Sequence, residues 1–366
     1  MRSAGRRAAT LRGMPGRPPA RTPLAPMRLA PRRLGARLVA LALLAAFAPG
    51  CARGPAPLVE TAPVPFTATL GAGSPLVGRA FDVDARREIA WGDLVAALAD
   101  ARFVLVGERH DHPDHHALQA RIVRELAARG ARPAVAFEML DAEQSAALAA
   151  SLARSPRDPD ALALAVDWAH SGWPDFALYR PVFAAALDAG LPIVAANAPP
   201  ARARAVARGH GDPAAKALLA RAAPLPAAGR AALSEEIQRG HCGFAPPEMI
   251  DAMVEAQRVR DAAMAEALVS AAGAAVPAAI LVAGNAHVSH RTGVPLQLAA
   301  LAPDARVASV AILEVQDGVT DPFAADEASE LTGYDYVVFT PRLDDEDPCA
   351  KFQEQLQRMQ HPPVRP

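Results

Sequence analysis

The sequence predicts an α/β protein: a mostly parallel sheet flanked by helices, with a smaller inserted all-helical domain. Three observations carry this. Apolar runs with no polar alternation recur at 103–106, 134–137, 193–196 and 280–283, as expected of strands buried on both faces. Segments of helical period lie between several of them. Each run also stops at a polar group: Gly107-Glu108-Arg109-His110, Glu138, Asn197 and Gly284-Asn285-Ala286-His287. In an open parallel sheet the crevice beyond the strands' carboxyl ends is where ligands bind. Four strands delivering Glu, His, Asn and His to one edge would make that crevice a site.

Taken in order, residues 1–50 read as targeting sequence. Arg28, Arg32, Arg33 and Arg37 precede the apolar run 38–47, followed by Ala48-Pro49-Gly50-Cys51. A basic region before a short apolar stretch suits a signal peptide, whereas a spanning helix needs about 20 residues. Small residues before Cys51 resemble a bacterial lipobox, in which Cys51 would be lipidated; ordinary signal cleavage is the alternative. Met27 would start a signal peptide of ordinary length. Residues 51–75, rich in Pro, Ala, Gly and Thr, read as a tether from the lipid anchor. The formal charge of −1 hides an asymmetry. The first fifty residues hold ten Arg and no acid, so the remainder carries 28 basic against 39 acidic side chains. An acidic mature protein is a poor partner for nucleic acid, whose binding depends on neutralising phosphates.

The body is expected over 76–198 and 278–342. A hairpin is predicted within 77–91, with Ala80-Phe81-Asp82-Val83 and Glu88-Ile89-Ala90-Trp91 flanking a polar turn. Strand 103–107 leads to a helix near 114–129, whose Leu118, Ile122, Val123 and Leu126 recur at helical spacing and which Gly130 closes. Strand 133–138, a helix near 141–153, a helix over 181–189 with Pro181 in its first turn, and strand 192–197 follow. About 80 residues then separate Asn197 from the next strand. One crossover helix would suffice, so 199–277 is read as a helical insertion, with helices near 214–222, 226–239 and 246–272. Strands resume at 278–284, 306–315 and 335–340, and 343–366 is expected to be a peripheral tail.

Four of the ten histidines, His110, His112, His115 and His116, lie within seven residues. Imidazoles and carboxylates suit several divalent metals. A helix beginning after Pro113 would send His115 and His116 to different faces, so the four cannot meet one ion. Asp114 is placed to cap that helix, and Gln119 reads as a surface residue. Glu108, His110, Glu138 and His287 form the sharper set, able to hold a metal, activate water or do acid–base work. Asn197 and Asn285 read as residues that orient loops. Tyr179 reads as a packed residue before a helix, although a phenolate is also a haem-iron ligand. Tyr334 and Tyr336 fall at the last strand. Met249, Met253 and Met264 read as core or dimer packing. Cys242 and Cys349 form no C-x-x-C, and an exported protein permits a disulfide between them.

Taken together, the motifs G-E-x-H-D at 107–111, His115-His116, Gln119, Ala136-Phe137-Glu138-Met139, W-x-x-F-x-x-Y-x-P at 173–181, A-A-N-x-P at 195–199, His241-Cys242-Gly243, Q-x-x-R-D-x-x-M-A at 257–265 and G-N-x-H-V at 284–288 resemble the ChaN-like haem-binding uptake lipoproteins of the Tiki superfamily. The resemblance implies a parallel sheet with a smaller helical domain, and haem bound at a homodimer interface through a tyrosine, matched here to Tyr179. It implies a propionate contact, assigned to His241, with Arg239 in place of a lysine. It also implies a role in haem and iron uptake in the bacterial envelope, anchored to the outer membrane on its periplasmic side, with an outer-membrane haem receptor as partner. The wider superfamily implies an alternative: a metal-dependent hydrolase, protease or esterase, using a divalent ion at His110, Glu138 and His287, with Glu108 beside them.

Overall fold

The computed structural model describes residues 64–273, 276, 278–324, 331–347 and 349–350. The expected signal segment, Cys51 and most of the tether lie outside the described residues. Among them no helix is long and apolar enough to cross a membrane.

The elements run β1 (Ala80–Asp82), β2 (Arg87–Ile89), α1 (Trp91–Ala99), β3 (Phe103–Val106), α2 (Pro113–Ala128), β4 (Ala134–Asp141), α3 (Ser145–Arg154), α4 (Pro159–Ala165), α5 (Phe176–Asp188) and β5 (Ile193–Asn197). Four helices follow, α6 (Pro200–Ala207), α7 (Pro213–Arg221), α8 (Ala227–Gly240) and α9 (Pro247–Ala271). The chain then returns through β6 (Ala279–Val282), the one-turn α10 (Asn285–Val288), α11 (Val294–Leu301), β7 (Val307–Glu314) and β8 (Tyr336–Thr340).

Two expectations are corrected here. Trp91 does not end the hairpin; it opens α1, because Trp91, Leu94, Val95 and Leu98 bury one helical stripe. The helix expected over 181–189 begins at Phe176, where the Asp175 side chain accepts a bond from Ala177 N. Pro181 therefore sits inside α5 rather than in its first turn, on an exposed face, and forgoes only the bond to the carbonyl of Ala177.

The sheet order is β2-β1-β8-β7-β3-β6-β4-β5. The six strands from β8 to β5 are parallel, and the hairpin adds an antiparallel edge on β8. The register decides where the site falls. Val106 and Phe137 both pair with Val282, so Gly107, Glu138 and Ala283 lie level at the carboxyl end of the three central strands. Period-two alternation then sends successive side chains to opposite faces. Val104, Val106 and Phe137 face a core built with α1, α2 and α5. Leu105, Ala136 and Leu281 face a second core, to which α9 contributes Met264, Ala265 and Leu268. The last helix of the insertion thus doubles as the crossover that covers this face. Of the three methionines read as packing residues, Met264 is fully buried and Met253 packs on a small satellite core, but Met249 is exposed.

Candidate functional site

Two buried glutamates organise the strand-end crevice, one on each face. Glu108, two residues past β3, shares the face of Val104 and Val106 and meets α2 and α5. Its Oε1 accepts from Tyr179 Oη at 2.7 Å and pairs with His110 Nδ1 at 2.9 Å. Its Oε2 lies 3.0 Å from His116 Nδ1, whose ring is aimed instead at Gln119 Oε1. Burial alone would raise the Glu108 carboxyl, but His116 and His110 outweigh it and bring it down to about 2. Burial would lower both histidines, and the Glu108 charge holds both above their ordinary value.

Glu138, on the opposite parity, faces α9. Its Oε1 accepts from Arg260 Nη2 and lies 3.3 Å from His287 Nε2; its Oε2 accepts from Gly284 N at 2.8 Å. His287 Nδ1 pairs with Asp261 Oδ1 at 2.6 Å. The imidazole is therefore held between two carboxylates. Burial would depress it, but Glu138 and Asp261 push it up to about 9. Against the burial penalty, His287 and Arg260 hold Glu138 well below the carboxylate range, while burial pushes Asp261 up.

The two glycines of the G-x-x-H segments have steric reasons. A Cβ on Gly107 would lie 2.1 Å from Asn285 Oδ1 and 2.9 Å from Val288 Cγ2. One on Gly284 would lie 3.0 Å from the His110 ring and 3.7 Å from Glu138 Oε2. Gly107→Ala is expected to lower stability by about 1–3 kcal/mol through overpacking, read as a fall in the urea midpoint. A midpoint equal to that of the unmodified protein would show that the Asn285 loop simply moves aside.

The structure brings Glu108, His110, Glu138 and His287 to one edge, as the sequence predicted, but as two ion-paired sets, with Glu138 also helping to hold His110 above its ordinary value. Both nitrogens of His287 and both oxygens of Glu138 are engaged by protein groups. Among the described residues no group of three or more His, Cys, Asp or Glu side chains could hold a metal ion. In this structure those donors are taken up by protein groups. Asn197 and Asn285 do orient loops: Asn197 Nδ2 donates to Glu138 O, and Asn285 Nδ2 donates to Ile312 O.

Several residues lie elsewhere than expected. Tyr179 sits on α5 rather than before it, fully buried between His116 and Trp168, with its phenol pushed up by burial and by Glu108. Gln119 is buried too, its Nε2 donating to the carbonyls of Val106 and Gly107. The cap of α2 is His112, whose Nδ1 accepts from Asp114 N. Asp114 instead accepts from Thr67 N, Thr67 Oγ1 and Ala68 N, fixing the end of the tether. His112 and His115 stack with ring centroids 4.1 Å apart and lock onto Pro341 O and Thr340 Oγ1 at the carboxyl end of β8. His241 ends α8, its Nδ1 donating to Ile237 O, and Arg239 pairs with Glu235.

Arg260, Asp261 and Trp173 stand in the family-like motifs, but the sequence reading gave them no role in the site. The first two were legible as an adjacent charged pair, Q-x-x-R-D, on the half of a helix that buries Val259, Ala262, Met264 and Ala265. Trp173 packs edge-on against His110 at 5.0 Å. It joins Met139, Ala198, Pro200, Arg204 and Arg260 around a cavity of about 290 Å³ that opens at Glu138.

Three comparisons bear on this arrangement. A family model described as haem-binding uptake, Tiki superfamily, ChaN matches residues 94–298. No curated protein matches the chain. Among solved structures, the ChaN protein of Campylobacter jejuni, described with cofacial haem binding, is similar at 23% identity and TM-score 0.56, over 71% of this chain and 95% of that one. The type III effector HopBA1 aligns at 15% identity and TM-score 0.42, over 68% and 91%. An erythromycin esterase EreC variant aligns at 15% and 0.41, over 70% and 94%. At these identities the first likeness speaks for the fold, and the other two carry no further argument.

Proposed function

The chain belongs to the ChaN family of haem-binding uptake proteins in the Tiki superfamily, and from that premise we propose that it is an exported haem-binding lipoprotein of haem and iron uptake, lipidated at Cys51 and held at the outer membrane. The observation that carries the haem reading is the cavity at the strand ends. Met139, Trp173, Ala198 and Pro200 give it an apolar lining, as a macrocycle requires, and Arg204 and Arg260 bring guanidinium groups suited to propionates. His110 stands beside it with its side chain 38% exposed and its Nδ1 on Glu108. A carboxylate on one ring nitrogen, leaving the other for a metal, is the usual setting of a metal-ligating histidine. His110, packed on Trp173 of the cavity wall, would be the residue to offer haem iron a nitrogen donor when haem is bound.

This assignment replaces Tyr179. A phenolate ligand must lose its proton and face the haem, and Tyr179 is fully buried with its hydroxyl donated to Glu108. The cavity is at the lower end of the roughly 300–1,000 Å³ usual for small-molecule sites. A haem seated there would leave much of its area for a second surface, and a second copy of the chain supplies one, in keeping with a homodimer. An outer-membrane haem receptor remains the partner proposed for uptake.

The test is hemin titration of the mature protein followed by absorbance and sedimentation. Saturable binding with a monomer-to-dimer shift is expected, and its absence in detergent-free protein would sink the haem reading. The ligand is decided by two variants. His110→Ala should change the Soret band and weaken binding, whereas Tyr179→Phe should leave the spectrum unchanged and cost about 1.5–3 kcal/mol of stability, the range for a hydrogen bond to a charged group. The reverse pattern would return the ligand to Tyr179.

A further inference from the structure

A second cavity, about 500 Å³, lies between α8 and the loops beyond β6 and β7. Glu235, Glu236 and Arg239 of α8 form one wall, and Ser289, Leu313 and Tyr334 stand on the other. The wall formed by α8 is weakly built. Its apolar residues Leu233 and Ile237 belong to a satellite cluster with Ala245, Ile250 and Val254, separate from the two cores on the sheet. Beyond that, Arg230 pairs with Glu255 and Asp251 of α9. Helices held by few buried apolar contacts are the ones that open locally, below the free energy of global unfolding. Both ends of α8 carry hinge chemistry: Pro224 and Pro226 precede it, and Gly243 at φ +76° with Pro246 and Pro247 follows it.

The chain beyond β8 is anchored on the opposite wall. Leu343 N donates to Glu314 Oε1 at 2.7 Å, and Arg109 grips Glu314 and Asp344 together. Six residues later Cys349 is joined by a disulfide to Cys242, two residues past the end of α8. The segment therefore runs from the carboxyl end of β7, next to Leu313 in one wall, to the carboxyl end of the helix that forms the other.

We propose that α8 is a lid over this second cavity, latched shut by the strap of residues 342–347 through the Cys242–Cys349 disulfide, and that a dithiol reductant releases it. The exchange is balanced: the disulfide takes two electrons and two protons from the dithiol, giving two thiols on the protein and one disulfide on the reductant. The strap keeps its grip on Arg109 and Glu314, so release frees α8 without freeing the strand-end site.

Hydrogen exchange of the full mature chain tests this, comparing oxidised protein, dithiol-reduced protein and the Cys242→Ser/Cys349→Ser variant. Amides of α8 should exchange roughly tenfold faster or more in both unlatched forms. Amides of β3 and β6 should keep their protection in all three, and the reduced natural chain serves if the double variant folds poorly. Unchanged exchange in α8 would overturn the proposal. A rise shared by β3 and β6 would overturn it as well, because the disulfide would then support the whole fold rather than one helix.

Discussion

Glu138→Ala is expected to cost about 3–5 kcal/mol of folding stability, the range for removing one partner of a buried ion pair. The residue is fully buried, and its carboxylate is the shared counter-charge of Arg260 and His287 while also accepting the Gly284 amide. Removing it leaves a guanidinium and an imidazolium facing each other, with Asp261 as the nearest remaining counter-charge. The imidazolium should respond by giving up its proton, so the titration of His287, followed by NMR, should fall from about 9 toward the ordinary histidine value. Glu138→Gln keeps the volume and one acceptor and should lose less. The urea midpoints of the two variants decide the matter. A loss under about 1 kcal/mol in the alanine variant would mean that water enters the crevice and solvates both cations.

The second large effect is a pH optimum of stability that follows from Glu108 and His287. Glu108 has its folded value depressed to about 2 from 4.5. Its contribution is therefore complete above the unfolded value and is lost as the pH falls from about 4.5 through 2. A depression of that size corresponds to about 3 kcal/mol at roughly 1.4 kcal/mol per pH unit. His287 has its folded value raised to about 9 from 6.5. Its contribution is complete below 6.5 and is lost as the pH rises through 9, again by about 3 kcal/mol. The two windows overlap between about pH 4.5 and 6.5, where stability should be greatest. Chemical denaturation across pH 2–10 reads this directly. Glu108→Gln should shrink the acid limb, which Glu138 also feeds, and should reduce the alkaline one by the share that His110 and His116 owe to the Glu108 charge. A profile flat between pH 6.5 and 9.5 would show that His287 is not held charged in the folded protein.

Much of the architecture was legible in the chain because it depends on local pattern. Unbroken apolar runs gave the parallel strands, and helical spacing at Leu118, Ile122, Val123 and Leu126 gave α2. The helices of the insertion fell close to where Pro and Gly punctuate it. The misses are equally local in origin. Trp91 was assigned to a strand because three residues of strand pattern precede it, yet its helical repeat with Leu94, Val95 and Leu98 prevails. Asp175 provides a cap six residues before the proline taken to start α5.

Sequence by itself determined that Glu108, His110, Glu138 and His287 reach one edge of the sheet, since each follows a strand that runs in the same direction. The register that sends Glu108 and Glu138 to opposite faces came only with the structure. What those side chains do on arrival was decided only by the tertiary structure. Tyr179 lies 71 residues from Glu108, and Arg260 lies 122 from Glu138. No pattern along the chain says that α5 will press a phenol onto one carboxylate while α9 presses a guanidinium and Asp261 around the other. The same is true of Gln119, polar by composition and buried by the two carbonyls it serves, and of Cys242 and Cys349, joined across 107 residues. The physical reason is one of range. Strand and helix periodicities are set by neighbours a few residues apart, whereas the partner of a buried charge is whichever group packing brings within about 3 Å of it.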